Sequence, residues 1–482
     1  MEKMDARSDR ASGMRTFIII WIGQIFSLLG TAISHFGIRI WAYEASGGKA
    51  TPLTWIGVAF TSAMIIFTPL VGVLVDRANR KLMMMLSDLA AAFASLALLL
   101  LFVTGALQVW HLYIIAFIAG TFQGFQWPAY SAAISTMLDK KHYTRANAML
   151  QMVGPASNVF APMIASALLI SLGQWITTRY PAFAEGLSGQ PGMVGLLAVD
   201  LASAASAIGT LLVVHIPQPE PSESTPEERG NFWQQAKFGF QYIFERPSLL
   251  SLQLVFLIGN FFSNLGYAVF DPMILARTDS NTAIFGTIQT VGALGAVGGG
   301  LVISAWGGFK RRTHGVLLGW SCFGIVMIAL GMGRSLAAWI PIMAISGLFG
   351  PLINASNQAI WQAKVPPDKQ GRVFASRRLI AWAVSPLSQF FAGPVADRVF
   401  EPLMSGTVNV PALAGWAVGT GEGAGMGLQF VLAGLLSAIV GFGGYLFPTV
   451  RNAEDMLPDH DEIPAAEDAA PDILDDIGDT SG

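Results

Sequence analysis

The chain is poor in charge. Asp, Glu, Lys and Arg make up 12% of its 482 residues, about half of the roughly 25% found in soluble domains, which excludes an ordinary water-soluble protein. It has one cysteine, Cys322, inside an apolar run, so no intrachain disulfide can form. The phosphate loop G-x-x-x-x-G-K-[ST] is missing, which excludes ATP hydrolysis by this chain. G-x-S-x-G, C-x-x-C and H-E-x-x-H are missing as well, and the six histidines are scattered. An enzyme, a metal and a cofactor are therefore not expected, nor is a nucleic-acid partner. Met1–Arg15 is polar and charged, and the apolar run after it is long enough to stay in a membrane, so no cleavable leader is expected.

What fills the chain is apolar, at 53%. Twelve runs reach or approach the roughly 20 residues that cross a bilayer as helix: 16–42, 53–75, 82–104, 111–138, 146–172, 193–216, 249–276, 282–305, 314–333, 336–362, 373–396 and 427–447. The expected fold class is an all-α, multi-pass membrane protein. The net charge of −3 conceals two unlike parts. The tail after Arg451 has eleven acids and no Lys or Arg, while the rest has 28 basic against 20 acidic residues. With both termini on the inner side, the inner segments hold 22 Lys and Arg and the outer loops only 5, which sets the orientation by the positive-inside rule. The expected place is the inner (plasma) membrane with both termini cytoplasmic.

The runs fall into two sets of six, 1–216 and 249–450, joined by 217–248 and followed by an acidic tail, 451–482. Pro217–Arg229 reads as a proline- and glutamate-rich linker. In Asn231–Arg246, Phe232, Trp233, Ala236, Phe240, Ile243 and Phe244 share one helical face, which fits a helix on the inner membrane surface or one packed on the bundle. The tail from 452 is acidic with few aromatics, so disorder is expected. The two sets repeat. Ser27–Gly30 in span 1 is echoed by Ser263–Gly266 in span 7, and Pro155 and Pro162 in span 5 by Pro386 and Pro394 in span 11. Six-plus-six repeats with a site between them are a transporter architecture in which one half rocks against the other.

Between spans 2 and 3 lies a charged hairpin, Gly72-Val-Leu-Val-Asp76-Arg77-Ala-Asn-Arg80-Lys81. Its spacing, G-x-L-x-D-R-x-N-R-K, resembles the signature loop of the major facilitator superfamily. Thr144–Ala148, Gln370–Phe374 and Ala392–Arg398 sharpen the resemblance, which is to the drug:proton antiporter branch that includes macrolide and enterobactin exporters. It implies two pseudo-symmetric six-helix bundles and efflux by alternating access. It also implies that Gly72, Asp76, Arg77, Arg80 and Lys81 form a conformational latch, which Asp88 is expected to join. Two departures stand out. Span 5 reads Ala161–Ser166 where the pattern has G-P-x-x-G-G, and span 4 lacks the buried arginine of many drug antiporters.

Few ionisable groups lie within the spans, where they are costly and usually functional. His35, Arg39, Asp200 and Asp271 are the candidates for proton coupling or gating. Arg39 and Asp271 lie in the outer thirds of repeat-equivalent spans and have opposite signs, so one reading is a pair across the halves that closes the outer mouth; the other is two independent interfacial charges, with Arg39 snorkelling to the outer surface and Asp271 at a helix end before Pro272. For Asp200 the alternative is a packing residue among Ser203, Ser206 and neighbouring helices. The resemblance also marks a cavity lined by uncharged polar groups. Those of the first set are Gln24, Gln123, Gln126 and Asn158; those of the second are Asn260, Asn264, Gln289, Asn354, Asn357, Gln358 and Gln389, and Trp127 adds apolar, polarizable area. Asn354, Asn357 and Gln358 are spaced to share one face of span 10. A cavity of amides and aromatics suits a bulky amphiphile, although interhelical hydrogen bonding alone accounts for about half of these amides. The expected partners are that small molecule, protons and lipid, and the chain is expected to be monomeric. A lysolipid-translocating protein of the same fold and a non-transporting receptor or scaffold are the other readings.

Overall fold

The computed structural model describes residues 2–77, 80–138, 142–187, 190–214, 232–405 and 412–459. Within these, the side chains of 2–12, 68–80, 232–236, 367–368 and several positions between 125 and 151 lie outside the description, so Phe232, Trp233 and Ala236 of the expected linker-helix face fall outside it. The hairpin calls Gly72, Asp76, Arg77 and Arg80 and the cavity call Trp127 therefore fall outside the described side chains.

Among the described residues the chain is helical and has no strand. The first six spans are Glu2–Ala45, Ala50–Arg77, Arg80–Val103, Val109–Met137, Tyr143–Arg179 and Gly192–Val213. Span 7 is two helices, Pro247–Tyr267 and Phe270–Arg277; spans 8, 9 and 10 are Thr282–Trp306, Arg312–Met332 and Leu336–Lys364. Span 11 runs over Pro367–Val395, a π-helical turn Ala396–Phe400 and a last turn Glu401–Met404, and span 12 is Ala424–Gly444. Among the described residues eleven helices are long and apolar enough to cross a membrane, and span 4 adds the shorter apolar stretch Val109–Gly124. Phe93, Leu301 and Ile439 are each more than half exposed. Large apolar side chains so exposed mark a surface that faces lipid.

Several spans outrun their apolar cores. Span 1 begins at Glu2 rather than 16, span 5 ends at Arg179 rather than 172, and span 11 reaches Met404 rather than 396. The cause is the helix hydrogen-bond ladder, which continues through polar residues beyond the hydrocarbon layer. Span 7 breaks for a local reason. Pro272 has no N–H to give to the Ala268 carbonyl, so the helix stops at Tyr267 and restarts at Phe270 with Asp271 in its first turn.

The first six and last six spans pack as two bundles with matching internal contacts: spans 2 and 4 pair in the first, spans 8 and 10 in the second. Small residues make the second pairing close. A Cβ on Gly347 would lie 2.2 Å from the Gly295 carbonyl carbon. Such contacts let helix backbones approach where lipid offers no hydrophobic drive for association. We call "distal" the end that carries the connections between spans 1–2, 5–6, 7–8 and 11–12. "Proximal" is the end that carries those between spans 2–3, 4–5, 8–9 and 10–11.

The linker helix, Phe232–Phe244, packs on the second bundle. Tyr242 and Ile243 join the core around Trp361 and Val373, and a Cβ on Gly239 would meet the Arg372 carbonyl oxygen at 2.5 Å. Of the described residues on the expected face, Ile243 is buried and Phe244 is exposed, and span 11 accepts the Gly239 side.

The expectation of disorder from 452 is corrected for its first residues. Glu454 Oε2 accepts the Thr313 N–H at 2.8 Å and the Thr313 hydroxyl at 2.9 Å, capping the start of span 9. Buried Lys364 donates to the carbonyls of Glu454 and Leu457 and pairs with Asp459 at 2.7 Å, and Arg311 pairs with Asp455. Acidity that would keep a free segment solvated here finds two cations and a helix start. Glu454→Ala should cost about 1 kcal/mol, as for a lost cap. That lowers the unfolding midpoint of the detergent-purified protein by roughly 2–4 °C. An unchanged midpoint would show that the cap does not contribute.

Candidate functional site

The two bundles meet at the distal end. One apolar core contains residues of both: Phe36, Ile40 and Ala165 from the first, Met273, Phe285 and Trp339 from the second. The proximal cores, around Phe17 and Met84 in the first bundle and around Leu252 and Trp361 in the second, do not merge among the described residues. Polar contacts follow the same division. Ser166 donates to the Thr282 carbonyl at 3.0 Å and Thr290 to the Val159 carbonyl at 3.3 Å, tying span 5 to the distal half of span 8.

Arg39 and Asp271 are joined in this seam. Arg39 Nη1 lies 2.7 Å from Asp271 Oδ2, and Gln289 Nε2 donates to Asp271 Oδ1 at 2.8 Å. The Arg39 guanidinium also sits 5.9 Å from the centre of the Phe285 ring, and that ring stacks on Phe36 at 5.0 Å. The side chains are 39% and 19% exposed. The pair is therefore partly desolvated, with its exposed part turned to a cavity.

That cavity, of about 670 Å³, opens between spans 1, 2, 4 and 5 of one bundle and 7, 8 and 10 of the other. His35, Arg39, Ser157, Asn158, Asp271 and Gln289 supply its polar lining, and the remaining wall is apolar. A second cavity of about 290 Å³ lies within the first bundle and shares His35, Phe60 and Asn158 with the first. Asp88, Asp200, Gln123 and Gln126 line it. Thr31, His35 and Arg39 follow one another at helical spacing along span 1, so one stripe leads from Asp200 to the Arg39–Asp271 pair.

Asp200 is buried and accepts three hydroxyls: Thr31 at 3.0 Å, Ser34 at 2.6 Å and Ser95 at 2.6 Å. Its partners come from spans 1 and 3. Ser203, expected beside it, instead donates to the Asp200 backbone carbonyl at 2.8 Å. Asp88 is buried among amides. Gln24 Nε2 donates to it at 2.8 Å, and Gln126 Nε2 donates to it at 3.2 Å and to Gln24 Oε1 at 2.9 Å. Its described partners are thus these glutamines rather than hairpin cations, and Lys81 donates to the Leu212 and Val214 carbonyls.

The remaining amides separate by surroundings. Gln123, Gln126, Asn158 and Gln289 line the cavities. Asn357 is buried and accepts the Trp361 indole N–H at 3.0 Å, four residues on along its own helix. Asn354 donates to the Gly350 carbonyl, and Asn264 to the Asn260 carbonyl and the Ser385 hydroxyl. Asn260, Gln358 and Gln389 border neither cavity. The polar face expected on span 10 is thus largely used up by bonds within and beside the helix. The hydroxyls Thr31, Ser34 and Ser95 were not foreseen. Their signal is faint, since Ser and Thr satisfy themselves on their own helix as readily as they bridge helices.

The comparisons agree with this architecture. The family model described as Major Facilitator Superfamily matches residues 20–387. Macrolide efflux protein A of Streptococcus pyogenes is 26% identical over 400 residues, covering 82% of this chain and 93% of that protein. Multidrug efflux pump Tap of Mycolicibacterium fortuitum is 23% identical over 382 residues, 76% of this chain and 87% of its own. Among solved structures, a bacterial homologue of the human lysosomal transporter Spinster, inward-facing and unoccupied, superimposes with a TM-score of 0.70 at 15% identity, covering 94% of this chain and 99% of that one. The match of the family model over most of the chain, on a fold of two six-helix bundles, shows that this protein belongs to the Major Facilitator Superfamily of membrane transporters.

Proposed function

We propose that the chain is a secondary transporter that exports a bulky amphiphilic compound in exchange for protons. Residues 1–216 and 249–450 are the two rocking units and 217–248 links them. The observation that carries this reading is the one-sided seam: the bundles share a core distally and keep separate proximal cores among the described residues. The excess of Lys and Arg on the proximal side supports a cytoplasmic proximal face, so the seam closes the outer mouth. The apolar walls and few amides of the larger cavity suit an amphiphile. The printed names of the relatives, a macrolide efflux protein and a multidrug efflux pump, support export. Buried carboxylates beside the cavities support proton exchange.

The test is transport by the purified chain in proteoliposomes under an imposed pH gradient. Erythromycin and ethidium serve as probes. Accumulation of at least one probe that collapses with a protonophore is the expected result. No accumulation of either, with movement of a fluorescent lysolipid across the bilayer, would replace export by lipid translocation.

A further inference from the structure

The first four N–H groups of a helix have no acceptor within it. Span 2 begins Ala50-Thr51-Pro52, and its opening N–H groups are satisfied from the other bundle. Asp397 Oδ1 accepts the Ala50 N–H at 2.8 Å. Its Oδ2 accepts the Thr51 N–H at 2.8 Å and the Thr51 hydroxyl at 2.5 Å. A carboxylate here is favoured by the partial positive charge of the helix start and by charge-assisted bonding.

Span 11 is shaped to deliver this group. Asp397 lies in the π-helical turn Ala396–Phe400, a local widening of the kind that accompanies functional sites. One turn earlier, a Cβ on Gly393 would lie 2.4 Å from Thr51 Cα, so only glycine admits the contact. Before that, the Phe390 ring stacks on Trp55 with centroids 5.7 Å apart. One turn after Asp397, Glu401 caps the start of span 12 by accepting the Met426 N–H at 2.7 Å and the Gly423 N–H at 3.3 Å. Two carboxylates a turn apart thus do different work. Glu401 fixes a neighbour within its own bundle, and Asp397 reaches across to the other.

The geometry points to Asp397 as a releasable latch on the distal mouth, one that caps span 2 when this end is shut and uncaps whenever it opens. The inference rests on the rocking motion proposed above. Opening transfers the carboxylate and the freed N–H groups to water, which hydrates both, so the latch holds without locking.

The test reads accessibility rather than transport. Cys322→Ser provides a cysteine-free full-length chain, and Leu53→Cys places one thiol in the larger cavity behind the seam. A membrane-impermeant maleimide is added to vesicles from the distal side. Asp397→Asn should raise the labelling rate about tenfold, in line with loss of the negative charge at a helix start and of one of the two acceptor oxygens, and Thr51→Val several-fold. The two together should not exceed Asp397→Asn alone, because both remove one contact. Glu401→Gln should stay within about twofold of the parent. Labelling of Asp397→Asn within about twofold of the parent, or additive effects of the two substitutions, would overturn the latch. Should Asp397→Asn fail to reach the membrane, unchanged labelling of Thr51→Val would overturn it equally. A parent chain that moves no probe, with labelling that still responds to Asp397, would sink the transport reading and leave the latch standing.

Discussion

Arg39→Gln and Asp271→Asn are each expected to lower probe efflux by about tenfold or more, and the exchange Arg39→Asp with Asp271→Arg to restore part of it. The reason lies in what each single change leaves behind. Asp271 is 19% exposed and holds both Arg39 and the Gln289 amide. Neutralising it strands a guanidinium in a partly desolvated seam, and loss of one partner of such a pair is more damaging than replacement of both. In the proposed cycle the loss falls on the distally closed state, since the two residues belong to different bundles and would part when that end opens. An alternating cycle needs both states populated, so a bias of even one tenfold factor slows turnover. In the exchanged chain the signs again match, and Gln289 can turn its amide oxygen toward an arginine at 271. Recovery is partial because the Phe285 face, 5.9 Å from the guanidinium, would meet a carboxylate instead. Efflux rates for the four chains at matched membrane levels make the measurement. Equal rates, or no coupling between the two positions, would reduce the pair to two independent interfacial charges.

This pair could be read in advance because repeat symmetry placed two opposite charges at equivalent depths in spans 1 and 7. The spans were legible for a similar reason: length and hydropathy are properties of single segments. What crosses between segments was harder to read. Asp200 has Ser203 and Ser206 on its own helix, yet its carboxylate is held by Thr31, Ser34 and Ser95 from two others. Sequence spacing shows which residues share a helix face but not which neighbour that face meets. Asn357 looked like a cavity amide and is taken by Trp361 on its own helix. Asp397 lies just past the apolar run 373–396, while the helix itself goes on to Met404. The tail looked uniformly unstructured from its acidity, but Lys364 and the open start of span 9 draw in its first residues.

Asp200→Asn is expected to cut proton-driven efflux by about a hundredfold while leaving probe binding intact, whereas Asp88→Asn retains most of the activity. The two carboxylates line the same cavity, so their partners decide the difference. Ser and Thr hydroxyls donate or accept by rotating. The three hydroxyls around Asp200 can therefore serve the carboxylate and, by turning one O–H, its protonated form, with no buried polar atom left unsatisfied. Asp88 is held by the amino groups of Gln24 and Gln126, which cannot accept. Taking up a proton there requires an amide to flip, and the Gln24 oxygen already accepts from Gln126. A proton site must change state in every cycle, and the hydroxyl cage permits this at small structural cost. Asp200 is also the group that can signal outward. Thr31 holds its Oδ1, and His35 and Arg39 continue the same stripe of span 1 to Asp271. On the proposed cycle, neutralising Asp200 would loosen its hold on Thr31, two turns along span 1 from Arg39. In proteoliposomes the decisive reading is the response of efflux to the imposed pH gradient. Asp200→Asn should flatten it, with fluorescence-measured probe binding unchanged. If Asp200→Asn still responds fully and Asp88→Asn does not, the proton travels through the amide cluster and the hydroxyl cage is only packing.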